Sequence, residues 1–400
     1  MKNTHADFLN TRFFAGLDGL RCLSIVAVVA YHVAASHGGL IGRGYLGVAL
    51  FFSISGFLIT TLLLRERDKV GHISLRGFFA RRALRIFPLY YAVLGLYAAA
   101  VFLAEKDAVV RSDFFANLPA FLTYTSNWFV PQHPDKRVIF YFAWSLATEE
   151  QFYLVWPLVM ALSRRTWIPI AFMGALLTLT LGTPWFVSLG LLDASHLGTR
   201  VLSSVSVSIC IGCLAAFVAH SRQGFSFLEP VLGQVWSVPL FFVLLGGVVV
   251  WHEAPLWLTS LVMTGLVVAT CIRSRQPLAP LMSHSWVRYV GTVSYGIYLL
   301  HMLLLNVVRR AVPGQGKPVL FVLTLALSIL VAGLSYRYFE SWFLKLKDRF
   351  DWRGHAKPAP EARSAPVPAP VPAPAETPAP LPGLLGVQTV ALAPKVNPTA

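Results

Sequence analysis

Stretches of about twenty mostly apolar residues recur along this chain of 400 residues, and that recurrence limits what it can fold into. A helix rises about 1.5 Å per residue, so twenty residues cross a hydrocarbon core of about 30 Å. In such a core only a helix or a closed barrel satisfies its own backbone. Ten stretches qualify: residues 15–36, 44–64, 86–104, 140–162, 167–187, 201–219, 235–251, 256–273, 289–308 and 318–338. The expected fold is all-α, a polytopic membrane helix bundle of about ten transmembrane helices. Pro169 and Pro184 interrupt one stretch, and only residues 252–255 separate two others.

Composition agrees, with 56% hydrophobic and 13% charged residues and a mean hydropathy of +0.63. The net charge of +15 does not imply nucleic acid as a partner, because Lys and Arg fall in short segments between apolar stretches. Such segments stay on the cytoplasmic side of a bilayer. Residues 65–85 read as a cytoplasmic loop with Arg65, Arg67, Lys69, Arg76, Arg81, Arg82 and Arg85, which sets the amino terminus inside. In a ten-helix layout Arg164, Arg165, Arg222, Arg273, Arg275, Lys345, Lys347 and Arg349 share that side, and both termini are cytoplasmic. Lys136, Arg137, Arg309, Arg310 and Lys317 fall on the other side, against the rule. No cleavable signal peptide is expected in the polar start.

Residues 1–350 form the expected transmembrane domain, and 351–400 a disordered tail rich in Pro and Ala. The aromatic segment 117–132 is too short and polar to span and reads as interfacial or re-entrant. Cys22, Cys210, Cys213 and Cys271 set no disulfide framework, and the CxxC of Cys210 and Cys213 reads as small-residue helix packing.

Polar groups inside apolar runs mark the candidate site. Arg21 and His32 lie eleven residues apart, which on a helix is about 16 Å along the axis and within about 20° of one face. An Arg at mid-span costs roughly 2.5 to 3.5 kcal/mol, so this one either serves a site or snorkels to the interface. The segment GRGYLGVALFFSISGFLI brings Gly44, Gly47 and Gly56 for close helix approach, with Ser53 and Ser55 either lining a site or bonding back to carbonyls. In ARRALRIFPLYY, Arg82 and Arg85 are helix neighbours of like charge and suit an anion, either lipid head groups or a phosphate-bearing cofactor. Glu149 and Glu150 lie about 100° apart in FAWSLATEEQFYLVWP, where a carboxylate facing the bundle would orient and charge His32. His301 and Ser294 share a face in VSYGIYLLH, and Arg337 and Glu340 in SYRYFE are placed to pair with each other.

Taken in this order, the Arg21–His32 segment, GYLGVALFFSISGFLI, RRALRIFPLY, WSLATEEQFYLVWP, SYGIYLLH and YRYFE resemble the acyltransferase-3 family of bacterial integral membrane O-acyltransferases. The resemblance covers about residues 13–345. It implies an acyl-CoA donor, in most cases acetyl-CoA, with no metal, and an acceptor hydroxyl on a carbohydrate of a surface polysaccharide or lipid-linked glycan. It maps the family's functional Arg and His onto Arg21 and His32, its WSLxxE glutamate onto Glu149 and its RRxxR arginines onto Arg81, Arg82 and Arg85, in the bacterial inner membrane. The expected catalytic residues are then His32, as general base or as carrier of the acyl group, and Glu149, with Arg81, Arg82 and Arg85 binding the donor and Arg21 holding a CoA phosphate or stabilising the oxyanion. No soluble hydrolase-like domain follows the bundle in this sequence, so fused-domain subfamilies are the poorer match. A secreted small molecule as acceptor, or a transporter using the same intramembrane charges, stands as the alternative.

Overall fold

A computed structural model describes residues 4–11, 13–34, 40–130, 137–273 and 276–350, which are helical with no strand among them. In chain order the helices are α1 (His5–Asn10), α2 (Ala15–Ala34), α3 (Leu46–Val70), α4 (Leu75–Ala104), α5 (Ala108–Leu122) and α6 (Ser126–Phe129). Then come α7 (Ala143–Leu162), α8 (Trp167–Ser188), α9 (Leu197–Ser203), α10 (Val207–His220), α11 (Arg222–Leu232) and α12 (Ser237–Val250). The last six are α13 (Leu256–Ile272), α14 (Ala279–Met282), α15 (Ser285–Thr292), α16 (Ser294–Ala311), α17 (Lys317–Ser335) and α18 (Ser341–Lys347).

Each of the ten apolar stretches is largely helical, although not each is a straight span. Among the described residues, five helical runs are long and apolar enough to cross a membrane, and up to eight are reached if each bent pair is one span. The bends are 54° between α9 and α10, 76° between α11 and α12, and 73° between α15 and α16. The other two expected spans fall short for separate reasons. Helix α7 has the length, 20 residues, but carries Glu149, Glu150 and Gln151, while α13 has only 17 residues.

Residues 65–85, expected as a loop, are mostly helical. Helix α3 runs on to Val70, and Gly71 ends it in the left-handed region at φ 84°, its N–H donating to the Arg67 carbonyl. Ser74 then starts α4 by accepting from the Gly77 N–H. The basic residues therefore stand on helix extensions, where their direction is fixed. Arg65 is 7% exposed and donates to the backbone carbonyls of Phe8 and Thr11, so it holds the amino-terminal helix onto α3.

Close backbone approach sets the centre of the bundle. A Cβ on Gly56 would come within 2.3 Å of the Ile209 carbonyl oxygen, and one on Gly47 within 2.4 Å of that of Ser24. Glycine at these two positions lets α3 lie against α10 and α2. Cys210 and Cys213 are free thiols in the α10 face so packed, and Cys213 donates to the Gly56 carbonyl at 3.6 Å.

The expected Arg337–Glu340 pair is absent among the described residues. Tyr336–Glu340 is a π-helical turn, which widens the helix and takes positions three apart out of line. Glu340 accepts from Ser335 instead, and Arg337 stacks on Tyr338. Lys136, Arg275 and the tail at 351–400 lie outside the described residues.

Candidate active site

Two cavities lie along α3. The first, of about 420 Å³, is lined by Arg21 of α2, by Ser55, Arg65 and Glu66 of α3, and by Arg81, Arg82 and Arg85 of α4. Ser145, Glu149, Glu150 and Tyr153 of α7, Ser294, Tyr295 and Tyr298 of α16, and Lys347 of α18 add to its polar wall. Arg81, Arg82 and Arg85 reach this basic cavity together because α4 begins ten residues before Arg85, so they share its first turns.

The charges there are not equivalent. Arg21 donates to Asp18 at 2.8 Å, one turn earlier on α2. Arg81 pairs with Glu66 at 3.2 Å, and Glu66 also accepts from the Ser74 N–H at 2.9 Å. The Arg82 guanidinium carbon lies over the Tyr153 ring, 4.7 Å from its centroid, and 5.7 Å from that of Phe78. Neither Arg82 nor Arg85 has a carboxylate within ion-pair distance among the described residues. A planar guanidinium held this way is suited to a phosphate oxygen pair.

Glu149 accepts hydrogen bonds from the Ser55 and Tyr153 hydroxyls. It does not touch His32. The carboxylate expected on the imidazole is replaced by a second imidazole: His32 Nδ1 lies 3.2 Å from His301 Nε2 and 2.9 Å from the Val28 carbonyl oxygen. Their ring centroids are 4.8 Å apart. His301 is fully buried, and its Nδ1 donates to the Tyr298 carbonyl at 2.6 Å. Tyr298 also lines the basic cavity, and its hydroxyl donates to the Phe142 carbonyl at 3.0 Å. Arg21 lines the cavity while His32, about 16 Å further along α2, stands beyond its wall.

The second cavity, of about 620 Å³, opens toward the start of α3. Its lining combines the aromatic rings of Tyr45 and Trp144 with Asn127, Thr148, Arg200, Ser206 and Ser208. Asn127 and Gln151 bond each other reciprocally through their amides at 2.9 Å, and Arg200 donates to the Trp128 and Ser195 carbonyls. Val48 and Phe52 line both cavities, so only these side chains of α3 are shared between them. Sequence reasoning did not single out Asp18, Tyr153, Asn127 or Tyr298. The first two carried a signal, three residues before Arg21 and four after Glu149 on their helices.

Comparison with known proteins gives this geometry a family. The acyltransferase-3 model, described as an acyltransferase domain, matches residues 14–337. The Staphylococcus aureus (strain COL) protein named "Putative O-acetyltransferase SACOL0978" is 29% identical over 359 residues, 84% of this chain and 58% of its own length. "O-acetyltransferase OatA" of Staphylococcus aureus (strain NCTC 8325 / PS 47) is 29% identical over 357 residues, 82% of this chain and 57% of its own. The chain thus spans somewhat over half the length of these relatives. No solved structure matches it. With a match that runs from Phe14, on the wall of the basic cavity, to Arg337 in the π-helical turn, the chain belongs to the acyltransferase-3 family.

Proposed function

We propose that this chain is a membrane O-acyltransferase of the bacterial inner membrane. It takes an acyl group, acetyl in the first instance, from acyl-CoA and passes it to a carbohydrate hydroxyl of a surface polysaccharide or lipid-linked glycan. The observation that carries this reading is the pair of cavities that meet at Val48 and Phe52, one basic and one lined by aromatic, amide and hydroxyl groups. The first suits an anionic donor. Arg82 and Arg85 bind CoA phosphates at the cytoplasmic mouth, Arg81 braces α4 through Glu66, and Arg21 holds the donor deeper in the bundle. The flexible pantetheine arm then carries the thioester along α2 toward His32.

The second cavity suits a polyhydroxylated acceptor. Rings that stack and amides that bond hydroxyls are a common way to hold a sugar, and the volume is within the usual range for a small-molecule site. His32 acts as general base on the acceptor hydroxyl. The alkoxide attacks the thioester carbonyl, the C–S bond breaks, and the proton passes to the CoA thiolate. Glu149, bonded to Ser55 and Tyr153, holds the Tyr153 ring under Arg82 and so shapes the donor end.

The test uses the purified chain in liposomes with labelled acetyl-CoA and a cell-wall glycan acceptor. Acceptor-dependent CoA release with label on the glycan supports the reading, and His32→Ala should lower it roughly 10²- to 10⁴-fold while acetyl-CoA still binds. Undiminished transfer in His32→Ala removes His32 from the chemistry. No CoA release with any glycan or metabolite overturns the enzyme reading in favour of transport.

A further inference from the structure

We infer that His301 is a positioning residue for acyl transfer, fixing the tautomer of His32 so that its Nε2 is the basic nitrogen. The inference rests on His32 being the base. It begins from a backbone carbonyl, which only accepts. The Tyr298 oxygen lies 2.6 Å from His301 Nδ1, so that nitrogen carries the hydrogen. A neutral imidazole has one N–H, which leaves His301 Nε2 as a lone pair. That lone pair faces His32 Nδ1 at 3.2 Å.

On its other side His32 Nδ1 meets a second acceptor, the Val28 carbonyl, at 2.9 Å. Both neighbours accept, so His32 Nδ1 bears the ring's hydrogen and shares it between them. The lone pair of His32 is then at Nε2. The opposite tautomer of His301 would set a nitrogen lone pair against the Tyr298 oxygen at 2.6 Å, which is repulsive.

Packing keeps His301 in this state. The residue is fully buried, Phe142 lies against its ring at 5.4 Å, and the Tyr298 hydroxyl ties α16 to the start of α7 through the Phe142 carbonyl. A ring enclosed in this way acts through His32 rather than on the acceptor. In the reaction the acceptor O–H bond breaks as an N–H bond forms at His32 Nε2. The acyl C–O bond forms, the thioester C–S bond breaks, and the proton leaves Nε2 for the CoA thiolate. Between those events the imidazolium of His32 donates from Nδ1 to His301 and Val28, so the same two acceptors that set the tautomer stabilise the charge.

The experiment is a double-mutant cycle on the full chain in liposomes, reading kcat and KM for acetyl-CoA. His301→Leu should lower kcat roughly 10- to 100-fold, less than the 10² to 10⁴ expected for loss of the base itself, with KM unchanged. His301→Gln, which restores an acceptor near the Nε2 position, should recover most of kcat. In a His32→Ala background His301→Leu should cost nothing further. Equal loss in the Leu and Gln variants, a raised KM, or a further loss in the His32→Ala background would overturn the inference, as would full activity in His301→Leu. Transfer that survives His32→Ala alone is the separate failure of the reading of His32 as base.

Discussion

Asp18 and Arg21 sit one turn apart on α2, joined by a 2.8 Å ion pair, with Asp18 5% exposed and the Arg21 guanidinium facing the basic cavity. The pair accounts for an Arg inside an apolar helix: its charge is balanced within the same turn while its side chain lines the cavity. Arg21→Lys keeps the charge but loses the planar donors, and the shorter contact with Asp18 fixes its direction less well. The expected outcome is about tenfold weaker acetyl-CoA binding, about 1.4 kcal/mol, with normal membrane insertion. Titration of the reconstituted variant with labelled acetyl-CoA checks it, and wild-type affinity would take Arg21 out of the donor site.

Arg82 and Arg85 should recognise phosphate rather than the acyl end. Each charge-assisted hydrogen bond is worth about 1.5 to 3 kcal/mol, so Arg82→Ala or Arg85→Ala should raise the KM for acetyl-CoA by roughly 10- to 100-fold. Acetyl-pantetheine has no phosphate. Its KM should be nearly the same in wild type and both variants. A parallel rise for both donors would mean that these residues support α4 and do not read the phosphates.

Glu149 separates charge from hydrogen bonding. Glu149→Gln keeps an oxygen that accepts from Ser55 and Tyr153, so the protein should fold normally with a change of a few-fold in donor KM. Glu149→Ala leaves the Ser55 hydroxyl without its acceptor, while Tyr153 keeps Ser55 Oγ at 3.2 Å; at a cost of about 1 to 3 kcal/mol it should lower thermal stability in detergent. A Gln variant as impaired in kcat as His32→Ala would instead show that the carboxylate charge is needed in the chemical step.

The helices were legible because hydropathy is a local property: the ten apolar stretches are largely helical among the described residues, although only five to eight spans are long and apolar enough to cross. The basic segment at 65–85 was misread for the same reason. Its charges lower hydropathy, yet Arg and Leu are good helix formers, and the real stop signals, Gly71 and Ser74, are only four residues of turn. At the site, Arg21 with Asp18 and Glu149 with Tyr153 were within reach of helix periodicity. Ser55 comes to Glu149 from 94 residues away, and His301 to His32 from 269. Each could be noticed as a polar group in an apolar run, but spacing along a chain carries no distance between helices. That is why a carboxylate was expected on His32, where the fold puts a histidine.

Orientation in the membrane is a further expectation that experiment can decide. The basic cavity is lined from α3 and α4 by Arg65, Arg81, Arg82 and Arg85, and these charges belong on the cytoplasmic side. A reporter active only in the periplasm should therefore be silent when fused after residue 350 and active when inserted between α12 and α13, at residues 252–254. The reverse pattern would place the donor cavity outside and remove its access to cytoplasmic acyl-CoA.

Phe52 gives the sharpest test of a shared path between the cavities. It is 6% exposed, meets Trp144 edge-on at 6.3 Å, and with Val48 lines both spaces. If the acyl group and the acceptor hydroxyl meet past this side chain, its size controls coupling. Phe52→Ala would cost about 3 to 5 kcal/mol as a buried truncation, so Phe52→Leu is the better variant. Its smaller ring-free side chain should admit water to the thioester and raise acceptor-independent acetyl-CoA hydrolysis several-fold, with KM for the donor unchanged. Phe52→Trp should do the opposite, narrowing the passage and lowering kcat while hydrolysis stays at the wild-type level. The quantity to measure is CoA released per label transferred to glycan. A ratio that stays near the wild-type value in both variants would mean that the two cavities do not exchange reactants at Phe52, and that the acceptor reaches His32 by another route.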